Sequence, residues 1–166
     1  IAYSLHKIYD HMEKSMLDPL EELRELKIHL KTTVDELLSL RNRLAEYDSE
    51  FIGRLDDLEV DINKYAYLSS AEKDMIRERL LYDCDNFKKR INEVISGLDR
   101  MMEKHTNELF AINARLEQCL GGCPQDMKHT LVTLRDVYAE HIDVFDGMKK
   151  IYTRYVNNLS AKLKTV

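Results

Sequence analysis

Large apolar residues recur at intervals of seven along the first third of the chain, directly after the Asp18-Pro19 pair. An aspartate cap followed by proline at the first helical position marks the start of a helix. A second row, three residues before the first, mixes apolar residues with the charged Lys27, Arg41 and Asp48. Two rows at heptad spacing predict a long helix over about 18–67 that packs in the coiled-coil manner. The first row is Leu23, Leu30, Leu37, Leu44, Phe51, Leu58 and Tyr65.

Two more long helices are predicted, and each follows a short turn signal. Ser69 with Glu72 three residues later matches a capping box, which predicts a second helix over about 70–119. Gly121-Gly122 ends that helix, because glycine readily takes the left-handed conformation of a helix C-terminus. Pro124 then begins a third helix over about 124–164.

The apolar rows of these helices define the expected core. One row of the second helix slips, because the step from Met101 to Leu109 is eight residues rather than seven, and we expect a local change of supercoil there. That row is Leu80, Phe87, Val94, Met101, Leu109 and Leu116. Across the three helices we expect these side chains to be largely buried: Leu44, Phe51, Leu58, Val94, Leu98, Leu134 and Phe145.

The fold class that these patterns predict is all-α. Short turns between long helices favour antiparallel neighbours, so we expect an elongated antiparallel three-helix rod, or coiled-coil bundle, over one domain spanning 1–166. Apolar residues at spacings of three and four also predict a short extra N-terminal helix over 1–17. Because the chain begins at Ile1 rather than methionine, we expect it to be part of a longer protein.

Two charged core positions need partners in this arrangement. In a hairpin whose turn is centred near residues 68–69, Asp48 lies level with about Lys89. Arg41 then lies within about one turn of Glu93 and Asp99. We interpret both as side chains whose charged ends reach the rim of the bundle. The alternative is a pair of buried ionic contacts that fix the helix register.

His105 and His141 occupy apolar rows of the second and third helices, at similar distances from the Gly121-Gly122 turn. If they face each other in the core, burial lowers their pKa values and makes the pair pH-sensitive. The alternative is that each histidine is separately hydrogen-bonded at the edge of the bundle.

The charge and cysteine content of the chain limit the classes of partner and compartment that we expect. The chain carries 25 Lys and Arg against 30 Asp and Glu, a formal net charge of −5, which does not favour nucleic acid as a partner. Three cysteines are too few for a disulfide scaffold, so we expect a reducing setting, the cytoplasm, with the nucleus or a peripheral membrane location as alternatives.

No catalytic motif is present in the sequence. A phosphate-binding glycine loop, a His-Glu-x-x-His zinc motif and a serine elbow are all absent. Cys119 and Cys123 lie four residues apart without further ligands, which makes a poor zinc site. We therefore expect no enzyme activity, no cofactor, no metal and no small-molecule substrate.

Two stretches resemble parts of BAR-type membrane-curvature domains. The first is Leu17-Asp18-Pro19-Leu20 followed by Lys27, Arg41 and the run Leu44-Ala45-Glu46-Tyr47-Asp48. The second is Phe87-Lys88-Lys89-Arg90 within the next helix, and the resemblance covers about 18–119. It implies a membrane-binding module whose lipid-facing bases would be Lys88, Lys89 and Arg90. That family has a long first helix and a basic concave face, whereas this chain has about 17 residues before the first motif and is acidic.

The leading functional interpretation is a non-enzymatic helical scaffold or assembly module. Further apolar residues make the apolar face of the first helix wider than two heptad rows. If three helices leave part of this face uncovered, the exposed part indicates a further partner. We expect a homodimer or a complex with another helical protein. The alternative is the BAR-like membrane-binding and curvature module. The widening residues are Leu26, Leu38, Leu40 and Ile52.

Overall fold

A computed structural model describes residues 19–166, and all of its regular structure in that range is helical. Helix α1 spans Pro19–Ala66, α2 spans Ser70–Gln118 and α3 spans Gln125–Leu163. A 3₁₀ turn, Cys119–Gly121, follows α2 directly. The all-α prediction is confirmed, and the helix ends lie within a few residues of the predicted ones. The short helix predicted over 1–17 lies outside the described residues.

The start of α2 uses the predicted cap. The Glu72 backbone N–H donates to Ser69 Oγ at 3.3 Å, and Ser69 Oγ donates to the Glu72 carboxylate at 2.8 Å. The side chain of Ser69 thereby satisfies one of the amides that a helix N-terminus leaves without a helical partner. At the other end of α2, the Gly122 N–H donates to the Cys119 carbonyl at 3.0 Å. Gly122 has φ +112°, a conformation that favours glycine.

The chain divides into two compact units, and each long helix contributes a segment to both. Among the described residues, unit 1 consists of 19–41 and Asp99–Asp146. Unit 2 consists of Asn42–Leu98 and Gly147–Val166. The single domain expected over 1–166 stays a prediction.

Unit 2 has an aromatic centre. Phe51 meets Phe87 and Tyr152 edge to face, with ring centroids 6.1 and 5.1 Å apart, and both Phe51 and Tyr152 are fully buried. Edge-to-face rings combine apolar burial with favourable quadrupole contacts. Leu44, Phe51, Leu58, Val94 and Leu98 are buried as predicted. The buried apolar residues are Leu44, Phe51, Leu58, Ile62, Tyr65, Leu80, Cys84, Phe87, Ile91, Val94, Leu98, Tyr152 and Leu159.

Unit 1 has an aliphatic core where α2 and α3 meet the N-terminal part of α1. Leu134 and Phe145 are buried there as predicted. One buried cluster consists of Ile112, Met127, Leu131, Leu134 and Tyr138. Half-buried side chains that pack against it are Leu23, Leu26, Leu30, Leu109, Leu116, Cys119 and Cys123.

The core row predicted through Leu109 and Leu116 is only partly correct. Both side chains are half-buried, while Ala111 and Arg115 are buried. The Arg115 guanidinium forms an ion pair with Glu22 of α1, whose side chain is also nearly buried. A buried charge requires a nearby charge of opposite sign, and Glu22 supplies one. The interpretation based on apolar spacing alone missed it because Arg115 breaks the apolar pattern.

Arg41 and Asp48 both have partners on α3, which the first hairpin did not suggest. The Arg41 guanidinium donates to the Glu140 carboxylate of α3, within unit 1. Asp48 accepts a hydrogen bond from the Tyr152 hydroxyl of α3 at 2.6 Å, within unit 2. Lys89, the residue expected opposite Asp48, pairs with Asp85 of its own helix. The register of the first hairpin concerns only α1 and α2, whereas α3 also contacts both positions.

Replacing Tyr152 with phenylalanine is expected to destabilise the protein by about 1.5–3 kcal/mol, the usual value of a hydrogen bond to a charged group. Tyr152 is fully buried, and its hydroxyl donates to a half-buried carboxylate that would lose this partner. Denaturant unfolding measures the change. Tyr155→Phe, one turn along α3, is the matched control and should change stability by less than about 0.5 kcal/mol. Equal effects of the two substitutions would contradict the role assigned to this hydrogen bond.

Candidate functional site

The structure brings the two predicted core histidines together in unit 1. The rings of His105 and His141 are nearly perpendicular, with centroids 5.0 Å apart. His105 is 6% exposed and His141 is 1% exposed. Tyr138 and Phe145 complete an aromatic cluster around them, with centroids 5.2 and 5.7 Å from the His105 ring. The two histidines therefore share one buried, mainly aromatic environment, as their similar distances from the Gly121-Gly122 turn predicted.

Most ring nitrogens of this histidine pair lack a hydrogen-bond partner among the described residues. Among the described residues, neither nitrogen of His141 has a hydrogen-bond partner, and neither does Nδ1 of His105. A buried polar group without a partner costs about 1–3 kcal/mol relative to a satisfied one. Apolar side chains at these two positions would avoid this cost.

Burial makes both rings weak bases. The pKa of His105 is lowered to about 4, chiefly by burial and in smaller measure by the nearby His141 and Lys104. Burial also lowers the pKa of His141, and Arg41 adds to this effect in smaller measure. The carboxylates of Glu140 and Glu36 oppose it. Both histidines are neutral near pH 7, and protonation would place positive charge in a low-dielectric core.

A second polar group in unit 1 links α1 to α3 and was not predicted. The Tyr138 hydroxyl lies 3.0 Å from His29 Nε2 and 3.4 Å from Thr33 Oγ1. Burial raises the pKa of Tyr138 to about 12. A tyrosine hydroxyl that is buried needs such partners, and Thr33 and His29 stand four residues apart on α1, one helical turn. The sequence signal was the polar Thr33 beside the apolar row.

The cysteines of the second turn lie together at the end of the unit 1 core. A hydrogen bond joins the Cys119 and Cys123 thiols, and burial raises the pKa of Cys119 to about 11. Both thiols are free, as is that of Cys84. Across residues 19–166, no three His, Cys, Asp or Glu side chains come together in a way that could hold a metal ion.

The three bases that the resemblance marked lie on α2 in unit 2. Lys89 forms an ion pair with Asp85 at 3.2 Å. Arg90 forms one with Glu50 at 3.5 Å, and its guanidinium also lies over the Tyr47 ring. Lys88 is half-buried. Two of these three charges are therefore balanced by carboxylates of the same unit. Their role on lipid stays a prediction.

Unit 2 carries an open groove between α1 and α2, which we call the α1–α2 groove. It consists of two adjoining cavities of about 320 and 280 Å³ that share Asp83. Apolar side chains and charged side chains of both signs line it. Its residues are Glu50, Arg54, Asp61, Lys64 and Leu68 of α1 and the following turn, and Ile76, Arg79, Leu80, Asp83, Asn86, Phe87 and Arg90 of α2.

Unit 2 also exposes large apolar side chains, and one of them, Ile76, lines the groove. Tyr67 is 91% exposed and Met75 is 84% exposed, at the two sides of the turn between α1 and α2. Single exposed apolar residues are ordinary, whereas several of them in one unit favour a contact surface. The exposed large apolar residues of unit 2 are Ile52, Val60, Tyr67, Met75, Ile76 and Tyr82. The predicted extra apolar flank of α1 is thus visible here at Ile52.

Within residues 19–166, none of the helices combines the length and apolar character needed to cross a bilayer. Comparison of the chain with protein-family models, with curated proteins and with solved structures finds no match.

Proposed function

We propose that this chain is a non-enzymatic helical scaffold or assembly module that associates with itself or with another helical protein. The observation that carries this proposal is the α1–α2 groove of unit 2, with its buried apolar floor and the exposed Ile76 in its lining. Helices with an apolar stripe are stable when the stripe is covered, and an open groove between two helices accepts a further helix.

The lining of the groove specifies the chemistry of the partner. Leu80 and Phe87 are buried at its floor, and Ile76 is 41% exposed at one end. A partner helix would place apolar residues at spacings of three and four against these side chains. Charged residues of both signs on the rims favour a partner with mixed charge, which suits protein better than a uniformly anionic lipid surface.

Association is the direct test of this function. The protein should sediment at equilibrium as a dimer at tens of micromolar, or should form a stable complex with a helical protein partner. The apolar contact should persist at high salt, since screening weakens only the exposed charge pairs. A monomer that also binds no helical partner would overturn the proposed function.

The same preparation tests the membrane alternative, in which Lys88, Lys89 and Arg90 contact lipid. Co-sedimentation with vesicles containing anionic lipid, abolished by replacing these three bases with glutamine, would favour the BAR-like function over the scaffold. Vesicles of neutral lipid are the control, because the attraction is electrostatic.

We further propose that the helices form an elongated antiparallel rod with coiled-coil packing and a short N-terminal helix, and that the protein has no enzyme activity. The proposed location is the cytoplasm, supported by three cysteines with free thiols, which are usual in a reducing compartment.

A further inference from the structure

One exposed face of α1 in unit 2 has a regular composition. Its residues follow one another at spacings of three and four, so they lie along one side of the helix. All of them are exposed, and the stretch is about 21 Å long at the usual rise of about 1.5 Å per residue. We call it the 50–64 face, and it consists of Glu50, Gly53, Arg54, Asp57, Val60, Asp61 and Lys64.

The outer charges of the 50–64 face are complementary to themselves: each charge near one end of the face has an opposite charge at a similar distance from the other end. From the N-terminal end, the outer charges are Glu50 and Arg54, and from the C-terminal end they are Lys64 and Asp61. When two copies of this helix lie antiparallel with their centres at residue 57, Glu50, which also pairs with Arg90 of its own copy, lies level with Lys64 of the second copy. Arg54 then lies level with residue 60 of the second copy, one residue from its Asp61. Each contact occurs twice, because a two-fold axis repeats it.

We infer that the 50–64 face is a dimer seam, on which a second copy of this chain packs antiparallel about a two-fold axis at Asp57. This inference rests on the proposed function and names its partner and its surface. Four of the charges that line the α1–α2 groove belong to the seam, so the second copy covers the α1 side of the groove. Opposite charges set the register, and the apolar contacts hold the copies together.

The shape of the face suits a close helix pair. A side chain added at Gly53 would meet nothing within 4 Å, so the backbone is open to an approaching helix. Val60, 49% exposed, lies level with residues 53–54 of the second copy in this arrangement. Glycine opposite a branched apolar side chain allows two helices to approach closely without a void. The half-buried Leu68 and the exposed Tyr67 extend the apolar contact beyond Lys64.

The two-fold axis has one unfavourable feature, and it supplies a distinctive test. Asp57 meets Asp57 of the second copy, and like charges in direct opposition repel. Removing this charge should therefore strengthen the dimer. Asp57→Asn is expected to lower the dimer dissociation constant severalfold. A residue away from the two-fold axis does not face the same residue of the second copy, so removing its charge would not relieve such a repulsion.

Charge reversal tests the register. Arg54→Glu places like charges close to each other twice per dimer, and we expect the dissociation constant to rise at least about tenfold in sedimentation equilibrium at low salt. The double variant Arg54→Glu with Asp61→Arg exchanges the two charges within one chain. Because each copy presents both positions, the double variant should return to within about threefold of the unsubstituted protein.

Arg154→Glu, at an exposed position of α3 in the same unit, is the matched control for net charge. It should leave the dissociation constant unchanged, and circular dichroism should show that every variant is folded. Equal effects of Arg54→Glu and Arg154→Glu, or no recovery in the double variant, would overturn the seam. A dimer that none of these substitutions affects overturns the seam alone and leaves the scaffold function, with association through another surface. A monomeric protein overturns the seam, and the scaffold function then requires a different helical partner.

Discussion

Replacing Phe51 with alanine is expected to destabilise the protein by about 3–5 kcal/mol, the range found when a buried aromatic side chain is truncated. Phe51 is fully buried in unit 2, where its ring meets Phe87 and Tyr152 edge to face and stacks with Tyr47. Truncation removes the apolar burial and all three ring contacts, and it leaves a cavity that rigid helices fill only in part. Urea unfolding measures the change.

The neighbouring residue provides a matched control. Ile52 is 49% exposed, so Ile52→Ala removes apolar surface that is largely in water already. Its effect on stability should be below about 0.5 kcal/mol. A loss of less than about 1 kcal/mol for Phe51→Ala would show that this ring is not at the centre of the core.

Acid should destabilise unit 1 through the His105–His141 pair. The pKa of His105 falls from 6.5 to about 4 in the folded protein. The unfolded chain therefore binds more protons between these two values, and stability falls as the pH falls. The contribution is fully present above about pH 6.5, and about 3 kcal/mol is lost by pH 4 from His105 alone. His141 adds to the loss, since burial lowers its pKa as well.

Replacing both rings removes the effect. In the double variant His105→Leu with His141→Leu, the free energy of unfolding should depend much less on pH between about 6.5 and 4. At neutral pH, His141→Leu should also raise stability, because two buried nitrogens without partners are replaced by apolar atoms of similar volume. Unfolding curves at several pH values measure both results.

An exposed histidine of α3 serves as the control for this pH dependence. His129→Gln, at an exposed position, should change the free energy of unfolding by less than about 0.5 kcal/mol. Histidine titration followed by NMR gives an independent measure of the two buried rings. Titration of His105 and His141 at or above pH 6.5 would contradict the neutral buried pair.

The sequence by itself determined the helices and most of the core rows. Heptad spacing, the Ser69 cap and the Gly121-Gly122 turn were enough to predict three helix ranges to within a few residues. These features act locally, or repeat along one helix, so they can be read without knowing the neighbours. The approach of His105 to His141 was also predictable, because both lie in apolar rows at similar distances from one short turn.

Only the tertiary structure decided which partners the charged core positions meet across helices. Arg41 and Asp48 find Glu140 and Tyr152 on α3, although the first hairpin suggested partners on α2. Apolar spacing identifies the inward face of a helix, but a core position between two neighbours can turn a polar side chain to either of them. Arg115 was missed for a related reason, since a charge is buried only where a partner such as Glu22 is brought to it.

The exposed surfaces were likewise decided by the packing. The sequence showed that α1 carries more apolar residues than one seam requires, but not which of them remain uncovered. Leu26 and Leu40 are half-buried, whereas Leu38 and Ile52 remain exposed. Coverage depends on where neighbouring helices lie around the axis of α1, and this arrangement is set by long-range packing that no local pattern encodes.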